Sequence, residues 1–218
     1  MKRIITFCLI VLLIVTQTAY ASEFKLEDSQ QRELFDFGIM IGDGNGNLRL
    51  NDYVTRAEFC KMICVAMGFQ NSTDNNLTVV EDFYDVDMKH WAYPYIQIAR
   101  GLKLMEGNEN GYFSPDQSVS LREVVQIIVT ALGYQPKALE ENASDGYLML
   151  SKEIGLLYNL ETEWDISATR EQASYLIAKS LDIPILQQTS FGSDNKYSVM
   201  NGENGVPLIT FRVLRTEK

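Results

Sequence analysis

Apolar positions recur at helical spacing three times along this chain, each time just after a residue that can start a helix. Phe59, Met62, Ile63 and Ala66 form the first stripe. Val124, Ile127, Ile128 and Ala131 form the second, and Ala173, Leu176, Ile177 and Ser180 the third, with a weaker last position. Thr55 with Glu58, Ser120 with Glu123 and Thr169 with Gln172 have the three-residue spacing of a capping box. A shorter amphipathic segment leads into each long one, at roughly 27–37, 83–102 and 146–157. In the second lead-in Trp91, Tyr95, Ile98 and Leu102 fall on one face, and Pro94 sits in the first turn, where its missing N–H costs little. Gly38, Gly101 and Gly155 suit the ends of these first helices, because glycine tolerates positive φ.

One helical hairpin of this size cannot bury its own apolar face, whereas three around a common axis can. The pattern therefore predicts helix–loop–helix units at 27–70, 82–134 and 143–186. Polar stretches at 70–82 and 135–146 read as surface links. In the remainder, 187–218, "KYSVM" and "LITFRVL" flank "NGENGVP" and read as a small β-hairpin. The fold class is mainly α: three helix–loop–helix repeats in a pseudo-threefold helical prism, with a short hairpin-like tail.

The first residues stand outside this pattern. Lys2 and Arg3 precede an apolar run over 4–15, and Ala19-Tyr20-Ala21 offers small residues at cleavage spacing. Residues 1–21 read as a secretory signal peptide, since the run falls short of the ~20 apolar residues a membrane span needs. The exported chain has no membrane attachment after cleavage. Losing Lys2 and Arg3 from the 19 basic side chains leaves 17 against 29 acidic ones. A net charge near −12 excludes generic binding to nucleic acid or anionic lipid, which needs a basic surface. A polyanionic partner would have to be held by a few local cations.

Candidate chemistry is sparse. Cys60 and Cys64 lie four apart on one helical face, a poor geometry for a bridge, and read as small buried side chains. The single histidine, His90, has no Ser or Cys partner in a known motif, and no carboxylate pair can be set across a cleft. Neither an enzyme nor a cofactor is predicted. In "GDGNGNLRLND", 42–52, Asp43, Asn45 and Asn47 alternate as at the start of a calcium loop. Such a loop needs Gly at its sixth position and Glu at its twelfth, but these are Leu48 and Val54, so no metal is predicted. The stretch reads as the turn between two helices, with Leu48 and Leu50 at the places of Phe113 and Pro115.

"GDGNGNLRLNDYVTRAEF", "FYDVDMKHWAYPYIQIARGLKLMEGNENGYFSPDQSVS" and "ATREQASYLIAKSLDIP" resemble S-layer homology domains. Phe83, Asp85, Val86, His90, Trp91, Ala92, Gly101, Gly107, Gly111, Phe113 and Pro115 carry the family's front half, and Thr55, Arg56, Ala57 and Glu58 its next helix start. The resemblance implies a prism whose inter-repeat grooves bind a pyruvylated secondary cell-wall polysaccharide associated with peptidoglycan. It also implies that the motif arginine contributes to the groove. An arginine fork matches a carboxylate and stays charged, and a helix N-terminus adds donors.

Arg56 matches that motif directly, and Arg170 matches it in "ATREQ". In the second unit Leu121 takes the arginine position and Arg122 is shifted by one residue, about 100° around a helix. Trp91 either stacks on sugar or closes the core. Gly42 and Gly107 complete the polymer-binding set of Arg56, Arg170, Trp91, Gly42, Gly107 and Arg122. His90 reads as a loop or cap residue and Asp85 as a turn carboxylate. The implied role is non-covalent anchoring at the cell wall or surface layer. The alternative is a structural interaction protein with degenerate grooves and other surface-layer proteins as partners.

Overall fold

A computed structural model describes residues 24–70, 82–140, 145–158, 160, 162–190, 196–202 and 204–216. The leader at 1–21 and most of the first link lie outside them. Among the described residues the chain is mainly helical: α1 (Asp28–Asp36), α2 (Arg56–Ala66), α3 (Tyr93–Gly101), α4 (Leu121–Ala131), α5 (Gln135–Glu140), α6 (Gly146–Glu153), α7 (Arg170–Ser180) and α8 (Phe211–Thr216). The one sheet among the described residues pairs β1 (Leu186–Ser190) with β2 (Lys196–Val199) antiparallel.

The three longest helices, α2, α4 and α7, begin in the same way. Thr55, Ser120 and Thr169 hold extended backbone, and each side chain accepts a hydrogen bond from the amide three residues on. Glu58, Glu123 and Gln172 return the bond, closing three capping boxes. The residues just before these caps tie the units into a closed triangle. The amide of Val54 donates to Ala168 O at 3.0 Å, that of Ala168 to Val119 O at 2.9 Å, and that of Val119 to Val54 O at 3.1 Å. All three residues are buried. Bridges of Tyr53 with Thr169, Thr55 with Ser118 and Ser120 with Ser167 flank the triangle. Below it the apolar stripes meet in one core that includes Phe59, Ile63, Phe113, Ile128 and Ile177.

Four local expectations are corrected. In the second lead-in Ile98 is buried and Tyr95 half-buried as expected, but Trp91 and Leu102 at the two ends are exposed, and Ala92, Ile96 and Ala99 widen the buried face of α3 instead. Gly101 lies inside α3, and the left-handed residue that ends the unit's first helix is Lys103, at φ +55°. The link at 135–146 contains α5, with Ala138 buried. In the tail "KYSVM" pairs with the preceding Leu186–Ser190, and the apolar run beyond "NGENGVP" ends in α8. Phe211 is wholly buried there, and Arg212 reaches both Glu33 of α1 and Asp182 beyond α7.

Candidate functional site

The first two helical hairpins each turn through a loop organised by one polar side chain. In the first unit Asp43 Oδ1 accepts from the amides of Asn45 at 2.9 Å and Asn47 at 3.0 Å. In the second, Asn108 Oδ1 accepts from Asn110 and Tyr112, both at 3.0 Å. The same job done by a carboxylate and by a neutral amide assigns Asp43 to the backbone. No cluster of three or more His, Cys, Asp or Glu among the described residues could hold a metal ion. Asp85 adds a second brace, its two oxygens accepting from the amides of Phe113 and Ser114 at 2.8 and 2.7 Å.

The motif arginines reach from one unit into the next. Arg56 donates through Nε to Phe113 O, through one terminal nitrogen to Glu106 O and through the other to Glu123 Oε1, at 2.9, 2.8 and 3.1 Å. Arg170 repeats this pattern on the first unit, bonding Leu48 O, Ile41 O and Glu58 Oε1 at 3.0, 3.1 and 3.2 Å. Each glutamate thus divides its oxygens: Oε2 of Glu58 and of Glu123 caps its own helix, and Oε1 receives the neighbour's arginine. The backbone confirms that Leu121 holds the arginine position in the second unit. Its amide donates to Ile166 O, as Arg56 does to Gln117 O and Arg170 to Asp52 O. Arg122, one place on, turns outward between Asp165 and Asp145, at 2.5 and 2.6 Å. These bonds raise its pKa, Asp165 foremost, and Arg122 in turn lowers that of Asp165.

An open groove of about 330 Å³ lies beside Arg56. Lys103, Glu106, Glu123, Gln126, Gln135 and Tyr147 give it a polar lining, over apolar walls that include Leu104 and Ile127. The Arg56 side chain is 14 % exposed, so it forms part of the wall; that of Arg170 is 8 % exposed. Beside Arg170, Lys61 holds the position that Gln126 holds beside Arg56. Its ammonium pKa is lowered, first by burial and then by the charge of Arg170.

The other candidates do not line this groove. Trp91 is 54 % exposed and stacks on His90 with ring centres 5.7 Å apart, which removes the core-closing alternative. His90 itself accepts the Ala92 amide through Nδ1, as a loop residue. Gly107 is explained by packing, because a Cβ there would lie 2.4 Å from Phe83 Cε1 and 2.7 Å from Tyr112 O. At Gly42 a Cβ would press on the backbone of Gly46 at 3.1 Å. Cys60 and Cys64 are free and buried, and burial pushes the Cys60 thiol pKa up.

Sequence reasoning missed Lys103, Gln126, Gln135 and Tyr147. The available signal was the loop itself. Aligning Asp43 with Asn108 puts Lys103 opposite Gly38, whereas aligning glycines on Gly101 hides it.

A ring of three helical hairpins with an open groove at a unit boundary defines a helical repeat module. Residues 32–60 and 82–125 match the family model described as the S-layer homology domain. The chain thus carries S-layer homology domain sequence over those two segments. It is 28% identical over 189 residues to the "Middle cell wall protein" of Brevibacillus brevis, a match covering 84% of this chain and 17% of that protein. It is 28% identical over 193 residues to the "Surface layer protein" of Brevibacillus choshinensis, covering 84% and 16%. An "Endoglucanase" from a Bacillus species is 27% identical over 103 residues, covering 47% and 10%. The chain thus spans about a sixth or less of the length of these curated relatives.

Proposed function

We propose that this chain is a non-covalent anchor of the cell surface, holding an anionic, pyruvylated secondary cell-wall polysaccharide in the groove beside Arg56. The observation that carries the reading is the groove itself. It is open, it is lined by hydrogen-bonding side chains over an apolar wall, and it sets Arg56 beside Lys103 in a chain of net charge −10. Pyranose rings offer apolar C–H faces and a rim of hydroxyls, which suit such a lining. A ketal-linked pyruvate offers a carboxylate, which suits a local cation. The names of the relatives, a cell wall protein and a surface layer protein, support the location. The endoglucanase supports a module that serves proteins of different activity, with no catalysis of its own. Units at 27–70, 82–134 and 143–186 would form the anchor, behind a leader at 1–21.

The boundary at Leu121 favours a structural role. No motif arginine stands there, and Arg122 is held outward by two aspartates. If all three boundaries behaved that way, the ring would pack with other surface-layer proteins instead. Sedimentation with Gram-positive walls separates the readings. Anchoring requires that protein sediments with native walls, stays in solution with walls stripped of the secondary polymer, and is released by free polymer. Self-association without wall binding would favour the interaction protein.

A further inference from the structure

We propose that Lys103 is the specificity-determining cation of the groove, the side chain that meets the carboxylate of the wall polymer. The inference rests on the anchoring reading above and names which charge performs it.

Three observations converge on this residue. The first is its backbone. The turn that ends each unit's first helix has a left-handed residue: Gly38 at φ +67°, Lys103 at +55° and Gly155 at +84°. The amides of all three donate to the carbonyl three residues back, those of Phe35, Arg100 and Lys152. Glycine takes this conformation without strain and lysine does not. A side chain is therefore kept in one unit at a position where the fold alone is better served by glycine. Strain retained at one site of a repeated structure points to a use for that side chain.

The second observation is where the side chain goes. Lys103 lines the groove and is exposed, and no ion pair holds it among the described residues. The third is the state of Arg56, whose guanidinium is largely buried and tied to Glu123 and two carbonyls. Its charge is already answered. Of the acidic groups in the groove, Glu123 is bonded to Arg56 and to the cap of its own helix, which leaves the exposed Glu106 as the one counter-charge facing Lys103 there. The ammonium is thus the cation free to meet an incoming anion, while Arg56 holds the wall of the groove in place.

The test uses Lys103→Gly, which restores the residue the backbone prefers. Protein secreted by a Gram-positive host is titrated with purified walls at several NaCl concentrations, and unfolding is followed by circular dichroism. The variant should melt at the same temperature as the parent or higher. It should bind walls roughly three- to fivefold more weakly at low salt, with a shallower loss as salt rises. Lys103→Arg should bind like the parent. Walls whose ketal-linked pyruvate has been removed by mild acid should bind parent and Lys103→Gly equally. A merely structural lysine would move stability and leave the salt dependence alone.

Equal binding of parent and Lys103→Gly to untreated walls overturns the inference while leaving the anchor intact. A Lys103 effect that persists on acid-treated walls overturns the carboxylate as its target. Failure of the parent protein to bind polymer-bearing walls overturns the anchoring reading first, and this inference with it.

Discussion

Leu121 stands where arginine stands in the other two units, and the residue opposite has changed with it. Arg56 meets Glu123 and Arg170 meets Glu58, and the corresponding partner of Leu121 is Gln172. Gln172 still caps α7 through Oε1, at 2.8 Å from the Thr169 amide, but it presents no second carboxylate oxygen. The boundary therefore loses both charges together, which avoids the cost of leaving one buried and unpaired. Arg170→Ala alone should destabilise the fold by about 2–4 kcal/mol in urea, because Glu58 and two carbonyls lose their donor. Arg170→Leu with Glu58→Gln, which copies the natural neutral boundary, should recover most of that loss, a coupling readable in a double-mutant cycle.

Asp165 makes a pH prediction of definite sign. Arg122 lowers its pKa in the folded state, so its contribution is present above the ordinary aspartate value of about 3.9. The contribution fades as pH falls through the lowered value. Asp165→Asn should therefore lower stability slightly at neutral pH and flatten the loss of stability below about pH 4, where the parent loses the same contribution. The capping boxes were legible at this scale because a cap is local: three residues specify it. Lys103 was not legible, because Gly101 two places earlier is the obvious helix-ending glycine, and only the hydrogen bonds show where the turn falls.

At the scale of elements the loops and the tail behave differently. Both loops could be read, since Leu48 and Phe113 each accept the neighbouring arginine's Nε through their carbonyls. Gly107→Ala should cost about 1–3 kcal/mol, as its methyl would meet the Phe83 ring and a carbonyl, and a melting curve would show it. The tail could be read only in part: it carries the expected short hairpin, but the second apolar run is not one of its strands. "LITFRVL" is rich in β-branched and aromatic residues, but a short apolar run does not distinguish strand from helix. What decides it is distant in sequence: Phe211 enters the core, Arg212 bridges Glu33 and Asp182, and Arg215 reaches Val65 O and Phe37 O with its guanidinium over the Phe37 ring. Phe211→Ala should cost about 3 kcal/mol, measured by urea unfolding, as for other buried aromatic truncations.

The whole molecule is held as a ring rather than as a row. A row of repeats gains only neighbour contacts, and its ends fray. Here Val54, Val119 and Ala168 close a triangle of backbone bonds, and Arg170 of the last unit clasps the first. This level was legible in outline, because three amphipathic hairpins have no other economical way to hide their apolar stripes. The inequality of the three boundaries was not, since it depends on which charges find partners across them. That inequality directs the functional claim to the groove between Arg56 and Tyr147. The most direct test fills it. Gln126→Trp projects a bulky ring from the exposed side of α4 and leaves the Arg56 bonds alone. Wild-type and folded variant protein would be sedimented with Gram-positive walls before and after extraction of the secondary polymer. Wild-type protein should bind only polymer-bearing walls, and the variant should bind them at least tenfold more weakly, about 1.4 kcal/mol. Equal binding of the two proteins, or wild-type binding that survives removal of the polymer, would contradict the functional claim.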